Sequence, residues 1–497
     1  MSIFYVRKSG NDSNAGTSPA AAWLTIGKAL GASGISSGDT VYIGPGVYRE
    51  QVTVAMTSAT AETFVIGDVT GAYTGDAPGE IRLTNYLTND TTAPTDGTLF
   101  DFNGRDYLTI SNLVFQSTIL STANLMMVKL TTASSSNITL RDCSFFMNEV
   151  SGNSSCSVVK MTLPANVNSN ILIERCIFYT SGCADGVFVS LTLPAAADYD
   201  AGVNIKNCVF IGDLLAAAVS VAATGVDVGF KAGGAIVRNC SIFYASLGVT
   251  TGSFISTSIP CYAYNNIVLH SGLGGAALDA QTSGQLIENY NLLYSSFPHS
   301  NVTPGTDSVY DSSYAPLFHT GQESQWGADI RPFGMPSPGS PWLGFGNDGS
   351  APATDILNRP RPAGGQSTAK AVGAYERHDT GVEETSVYDS PPSSMKIVGP
   401  GDHEFEIPVN SLAVVNLTVM VRYNGDHGSA NKPQVQVLAD SVLGVNAETL
   451  TMTEAADTWE RLEFSSFTPL GYGVVRLRCI SRAAAGNGIA YFDSITV

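Results

Sequence analysis

One phrase recurs along this sequence, and it restricts the fold more than any other feature. Between residues 108 and 294 it reads LTISNLVF, ITLRDCSFF, ILIERCIFY, VNIKNCVF, AIVRNCSIF, YAYNNIVL and IENYNLLY. Aligned, these place Leu113, Cys143, Cys176, Cys208, Cys240, Ile267 and Leu292 in one column, at intervals of 30, 33, 32, 32, 27 and 25 residues. The column before it holds Asn112, Asp142, Arg175, Asn207, Asn239, Asn266 and Asn291. Alternation points Ile171, Ile173, Cys176 and Phe178 inward, with a break at the polar residue before the cysteine. Two or three short strands per period make one coil of a solenoid, each coil paired with the next at about 4.8 Å. Stacking then sets like on like. Cys143, Cys176, Cys208 and Cys240 are expected to form a buried thiol ladder, and Asn207, Asn239 and Asn266 an amide ladder at a bend.

Earlier segments fit the same scheme: TVYIGPGVYREQVTV (40–54), TFVIGD (63–68), GEIRLTN (79–85) and TLFDFNG (98–104). Before them Ile26, Ala29 and Leu30 fall at helical spacing, which predicts a short cap over the open strand edges. The fold class is all-β: a right-handed parallel β-helix over 1–376, a linker over 377–396, and an antiparallel β-sandwich over 397–497. The sandwich rests on clean alternation, as in Val415, Leu417, Val419 and Val421, with matching runs at Val435–Val437 and Val475–Cys479.

Charge narrows the partners. The formal net charge is −18 and only 14% of residues are charged. Such a chain is repelled by phosphate backbones and anionic lipid surfaces, so neither nucleic acid nor membrane insertion is expected. The start, MSIFYVRKSGNDSN, has no apolar stretch long enough for a secretory signal. The eight cysteines lack CxxC pairs, so no zinc site or disulfide scaffold is implied.

The opening FYVRKSGNDSNAGTSPAAAWLTIGKALGASGISSGDTVYIGPGVYRE resembles the cap and first coil of right-handed β-helix proteins of the pectate-lyase-like superfamily. The stretch 355–376, DILNRPRPAGGQSTAKAVGAYE, is similar to their closing segment. The ending TWERLEFSSFTPLGYGVVRLRCIS…GNGIAYFDSITV is similar to jelly-roll modules of the carbohydrate-binding type. This resemblance implies the fold; lyases, hydrolases and inert spikes all use it.

Within that superfamily, lyases use a Lys or Arg base beside calcium-binding aspartates. Lys129, Lys160, Lys206 and Lys231 each lack a dense acidic partner set in sequence. For hydrolysis, Glu174, Asp185, Asp198, Asp200 and Asp213 come from neighbouring coils, and two carboxylates about 5–9.5 Å apart would suffice; simple coverage of an acidic surface is the competing reading. Asp12 and Asn14 offer oxygens for a cation, or form an Asx turn into the cap. The resemblance allows a structural calcium at Asp493. Trp459 and Tyr472 either stack a sugar ring or belong to the sandwich core. The six histidines (270, 299, 319, 378, 403 and 427) show no metal spacing and read as surface or loop residues.

The favoured function is a bacteriophage virion protein, tailspike or fibre-like, with the sandwich used for glycan binding or assembly. A polysaccharide lyase or glycoside hydrolase and a bacterial surface adhesin are the alternatives. The missing signal favours a virion component released by lysis over an exported extracellular protein. The resemblance to phage spikes implies a homotrimer among other virion proteins, with a cell-surface glycan as target.

Overall fold

The computed structural model describes residues 2–57, 59–86, 97–119, 126–131, 136–149, 157–162, 169–181, 187–192, 199–200, 202–212, 224–228, 232–233, 235–245, 247–251, 260–270, 276–280, 283–294, 298–311 and 351–356, and, further on, 382–384, 394–398, 400–408, 415–424, 431–438, 446–467, 474–483 and 489–496. These fall into two compact units: the described residues up to 356, and those from 382 onward.

The first unit is a parallel β-helix. A ten-stranded first sheet runs from Ile3–Val6 to Leu286–Asn289, and a ten-stranded second sheet from Gly46–Arg49 to Val309–Asp311. A nine-stranded third sheet lies between Val52–Thr53 and His299–Ser300. One strand from each makes a coil: Ile171–Glu174, Ile177–Ser181 and Val187–Thr192 are consecutive in sequence and belong to three different sheets. Every pairing in these three sheets is parallel; in the first sheet, for example, Ile138 sits on Ile171 and Ile171 on Val203.

The interior follows from the alternation. Ile173, Cys176 and Phe178 are fully buried. Phe115, Phe145, Phe178 and Phe210 stack in one column, with ring centroids 5.0, 4.7 and 4.7 Å apart and planes within 12° of parallel. Coil pitch and aromatic stacking distance nearly coincide, so one residue type repeated per coil adds stacking to burial.

Two columns of left-handed backbone make the corners. Asn112, Asp142, Arg175, Asn207, Asn239, Asn265 and Tyr290 have φ between 50° and 59°. Tyr107, Asn137, Asn170 and Gly202, each just before a first-sheet strand, have φ between 46° and 62°. Asn and Asp tolerate this region, which explains their dominance there. Asp142 holds Arg175, the same column one coil later, with a forked ion pair at 2.7 and 2.8 Å.

The amide column differs from the sequence alignment. Asn266 and Asn291 do not share the left-handed column with Asn239; Asn265 and Tyr290 do. The register pairs Arg238 with Tyr264 and Ser241 with Ile267, so Asn266 stacks on Cys240 and Asn291 on Asn266. The Asn-Asn repeat at 265–266 permits the slip when read as letters, whereas the strand register decides it: Asn266 and Asn291, fully buried, continue the column of Cys240. The chemistry is conserved across the change. Cys176 and Cys208 place Sγ 3.6 and 3.7 Å from the carbonyls of Leu140 and Ile173. Asn266 and Asn291 donate at 3.0 and 2.8 Å to the equivalent carbonyls, Val237 and Ala263. Cys143 N–H donates to the thiol of Cys176, and Cys240 N–H donates to Asn266 Oδ1 at 2.9 Å. Thiol and amide fill one role.

At the amino end, the helix Ile26–Ala29 is capped by Thr25, whose hydroxyl accepts from Lys28 N–H. Glu50 accepts from Ile26 N–H and Gly27 N–H at 2.8 and 2.9 Å, which ties the cap to the first coil.

The second unit is antiparallel, in two sheets. One holds five strands, Val382–Glu384, Ser394–Val398, Ile489–Thr496, Val415–Tyr423 and Glu460–Phe467, and the other four. Leu417, Val419, Val421, Val435, Val437, Phe464, Leu477 and Cys479 form its core, as in a sandwich. The expected linker 377–396 is partly sheet: Val382–Glu384 pairs with Ser394–Val398. The edge strand Val382–Glu384 is three residues long, too short for alternation to announce it. The expected closing segment lies outside the described residues beyond Ile356.

Candidate functional site

Glu174 ends a first-sheet strand, directly beside Lys206 in the next coil and Arg141 in the previous one. Its carboxylate takes Lys206 Nζ at 2.8 Å, Arg175 at 3.5 Å and an Arg141 hydrogen bond. Burial alone pushes its pKa up; the Lys206 hydrogen bond and the charges of Arg175, Lys206 and Arg141 outweigh this, so the carboxyl sits below its usual range. A carboxylate held ionised by three cations is a structural clamp and a poor general acid. Asp200 lies in the short strand Tyr199–Asp200, paired with Ala232–Gly233. Asp185, Asp198 and Asp213 lie outside the described residues.

Two of the cation candidates, Asp12 and Asn14, make hydrogen bonds at the entry to the cap. Asp12 accepts from Leu24 N–H, Thr25 N–H and the Thr25 hydroxyl at 2.9, 3.0 and 2.9 Å. Asn14 donates to Ala22 O at 3.0 Å, and its carbonyl accepts from the Trp23 indole at 2.8 Å. Both residues therefore build the entry to the cap. Asp493 sits in a strand opposite Met420. Among the described residues, no three metal-ligating side chains converge. Trp459 is half-buried beside the strand Glu460–Phe467, and Tyr472 is outside the described residues.

Three clusters were not predicted. On the outer face of the third sheet, Asp101, Lys129 and Lys160 follow one another in register, with Lys129 Nζ 2.9 Å from Asp101. At the far end of the coil stack, the inward column Val237, Ala263 ends in Glu288. That buried carboxylate accepts from His299 Nε2 (3.2 Å), Asn291 Nδ2 (2.7 Å), the Ser308 hydroxyl (2.6 Å), the Tyr310 hydroxyl (2.8 Å) and Gly305 N–H. Burial raises its pKa, yet this set of donors brings it down to about 2. His299, expected in a loop, is therefore a nearly buried partner of Glu288.

The third cluster is aromatic. On the outer face of the first sheet, Tyr5 and Tyr42 are register neighbours with ring centroids 6.3 Å apart. Tyr73 stacks on Tyr42 at 4.0 Å with planes 5° apart and remains 54% exposed. Burial, then the hydrogen bond to Tyr73, pushes the Tyr42 phenol up to about 12. The same outward row continues through Ile66 and Ser111 to Arg141, Glu174 and Lys206, and then through Arg238 to Tyr264 and Asn289. Tyr262 and Tyr264 lie with ring centroids 5.8 Å apart.

No family model matches the sequence, and no curated protein sequence matches it. Solved structures do. A glycoside hydrolase aligns at 10% identity with TM-score 0.39, covering 63% of this chain and 96% of its own. The enzymatically active domain of bacteriophage CBA120 tailspike protein 4 aligns at 10% identity and TM-score 0.29, covering 94% of this chain and 65% of its own. A family 16 carbohydrate-binding module aligns at 17% identity and TM-score 0.18, covering 23% of this chain and 83% of its own. A pectin methylesterase from Aspergillus niger is also similar, at 11% identity and TM-score 0.25, over 63% of this chain and 90% of its own. No helix among the described residues is long and apolar enough to cross a membrane. The chain is an all-β protein: a parallel β-helix of stacked coils, followed by an antiparallel unit of sandwich type.

Proposed function

We propose that this chain is a glycan-binding β-helix protein, serving as a rigid tailspike or fibre-like component of a phage particle. One observation carries the binding reading. On the outer face of the first sheet one row of side chains, one per coil, runs from Tyr5 and Tyr42 through Ile66, Ser111, Arg141, Glu174, Lys206 and Arg238 to Tyr264 and Asn289, with Tyr262 in the row beside it. Coils about 4.8 Å apart give a straight ruler for a linear polymer, and aromatic rings with hydroxyls suit sugar faces and edges. The buried Phe and Cys columns supply rigidity, which lowers the ordering cost of binding. Glu174 serves this reading as a clamp across three coils.

The expected result is that purified protein retains capsule or lipopolysaccharide fragments on a glycan array without shortening them. Absence of binding across capsule, lipopolysaccharide and pectin panels would overturn the glycan reading. Detection of the chain by mass spectrometry in purified phage particles supports the virion assignment, and its absence refutes it. Light scattering tests the homotrimer, and a monomer at micromolar concentration refutes it.

An eliminative lyase is the second reading, and Lys160 favours it. This half-buried lysine on the third sheet, beside Lys129, has no hydrogen-bond or ion-pair partner among the described residues. An ultraviolet-absorbing unsaturated product, abolished by Lys160→Ala, would establish it.

A further inference from the structure

The bend between first-sheet and second-sheet strands is two residues long in most coils, as at Arg175 and Cys176 between Ile171–Glu174 and Ile177–Ser181. In one coil it is not. After Thr63–Gly67 the chain leaves for residues 68–80 before Ile81–Thr84 resumes the coil. An inserted loop with no pinning would be a mobile excursion; this one is held at both ends.

Asp68, itself buried, accepts from Tyr73 N–H at 2.9 Å, Thr74 N–H at 2.7 Å and the Thr74 hydroxyl at 2.9 Å. Arg7 grips Asp76 with two nitrogens, Nε to Oδ2 at 2.9 Å and Nη2 to Oδ1 at 2.5 Å, and also donates to Pro19 O at 2.9 Å. Gly71 has φ of 71°, and a Cβ there would lie 1.9 Å from Asp76 O, so the loop closes only with glycine. All this machinery presents one large apolar ring to solvent. Tyr73 is more exposed than Ile3, Ile287 or Tyr310, the other exposed large hydrophobic residues among those described.

A half-exposed aromatic ring, stacked flat on a second ring and held by buried polar bonds, is preorganised for a planar partner. We propose that the Tyr42–Tyr73 pair is a sugar-stacking subsite for an uncharged saccharide at the amino-terminal end of the outer row; this rests on the glycan-binding reading above. Charge decides the ligand class. Asp68, buried at the start of the loop, lies close enough to act electrostatically on Tyr42, while Asp76 is neutralised by Arg7. A uronate or sulfated ring would meet the charge of Asp68 and the chain's net charge of −18. A neutral ring meets only the exposed Tyr73 face, with phenol hydroxyls beside it.

The test uses the full chain and two probes of equal length, a neutral maltohexaose and a hexa-galacturonate, with a glycan array to find any better neutral ligand. Binding is measured by calorimetry for wild type, Tyr73→Ala and Tyr73→Phe. The exposed position makes Tyr73→Ala compatible with folding, checked by an unchanged melting curve. The expected outcome is preference for neutral sugars, roughly tenfold or greater weakening by Tyr73→Ala, and near-wild-type stacking in Tyr73→Phe. If wild type binds glycans and Tyr73→Ala binds them equally well, the subsite is wrong while the glycan reading stands. A galacturonate preference also overturns it. If wild type binds no glycan, both fall. If Tyr73→Ala changes only the oligomeric state, the ring is covered by a second copy of this chain and the subsite is refuted.

Discussion

Replacing Asn266 separates two accounts of the buried column. If thiol and amide fill one hydrogen-bonding role, Asn266→Ala should be severe and Asn266→Cys mild. Asn266 Oδ1 accepts from Cys240 N–H at 2.9 Å, and Nδ2 donates to Val237 O at 3.0 Å and to Asn291 Oδ1 at 3.0 Å. Alanine strands the buried Cys240 N–H, at about 1–3 kcal/mol, and loses the second bond to Val237 O, at about 1 kcal/mol because that carbonyl keeps its ladder partner; the loss is about 2–4 kcal/mol. Cysteine at the same place can repeat what Cys208 does two coils earlier in the same column, accepting from the N–H of Cys176 and contacting Ile173 O at 3.7 Å. Thiol bonds are weaker than amide bonds, so a residual loss of about 1–2 kcal/mol is expected. The chain has two units, so a global melt is not two-state and the readout must be local. Hydrogen exchange followed by mass spectrometry on peptides spanning 235–245 and 260–270 reports the opening free energy of these coils. Equal loss of protection in Asn266→Ala and Asn266→Cys would refute the shared role. So would an Asn266→Ala variant whose Cys240 amide exchanges as slowly as wild type.

The other expectations concern the same interior. Phe178 is stacked on both Phe145 and Phe210, so Phe178→Ala should cost about 3–5 kcal/mol of opening free energy in hydrogen exchange on a peptide spanning 169–181, and more than Phe115→Ala, at the ladder's end, costs its own coil. Glu288 has its pKa lowered to about 2 against an ordinary 4.5, so its stabilisation, roughly 3 kcal/mol, is complete above 4.5 and lost as pH falls toward 2. Glu288→Gln should remove that acid-sensitive component, seen as a flatter unfolding midpoint between pH 5 and pH 2 in otherwise identical melts (roughly the window of carboxylate titration). Burial pushes the thiols of Cys143, Cys176 and Cys208 well above their usual range, so none should react with a disulfide reagent until the coils are unfolded.

Much of the fold was legible because a coil that can pair only with its neighbours repeats its letters. The recurring apolar and Cys positions announced both the period and the inward face. Asp12 and Asn14 were legible as oxygens at a turn or for a cation, and the structure gives them hydrogen-bond partners in the cap. The candidate site was not legible in the same way. Glu174 appears as one acidic letter among many; its three cations come from Arg141, Arg175 and Lys206, in three successive coils. Tyr73 lies in an inserted loop with no period, so nothing in the letters places it on Tyr42.

By itself, then, the sequence determined the architecture, because solenoid packing is a nearest-neighbour problem in which each coil must present a matching face to the next. Tertiary structure alone decided the register at Asn265–Asn266, the fate of Glu288 and the exposure of Tyr73. Each depends on which groups lie one coil away or across a bend. That distance is about 4.8 Å in space and 25 to 33 residues in sequence, and a single strand's alternation carries no record of it.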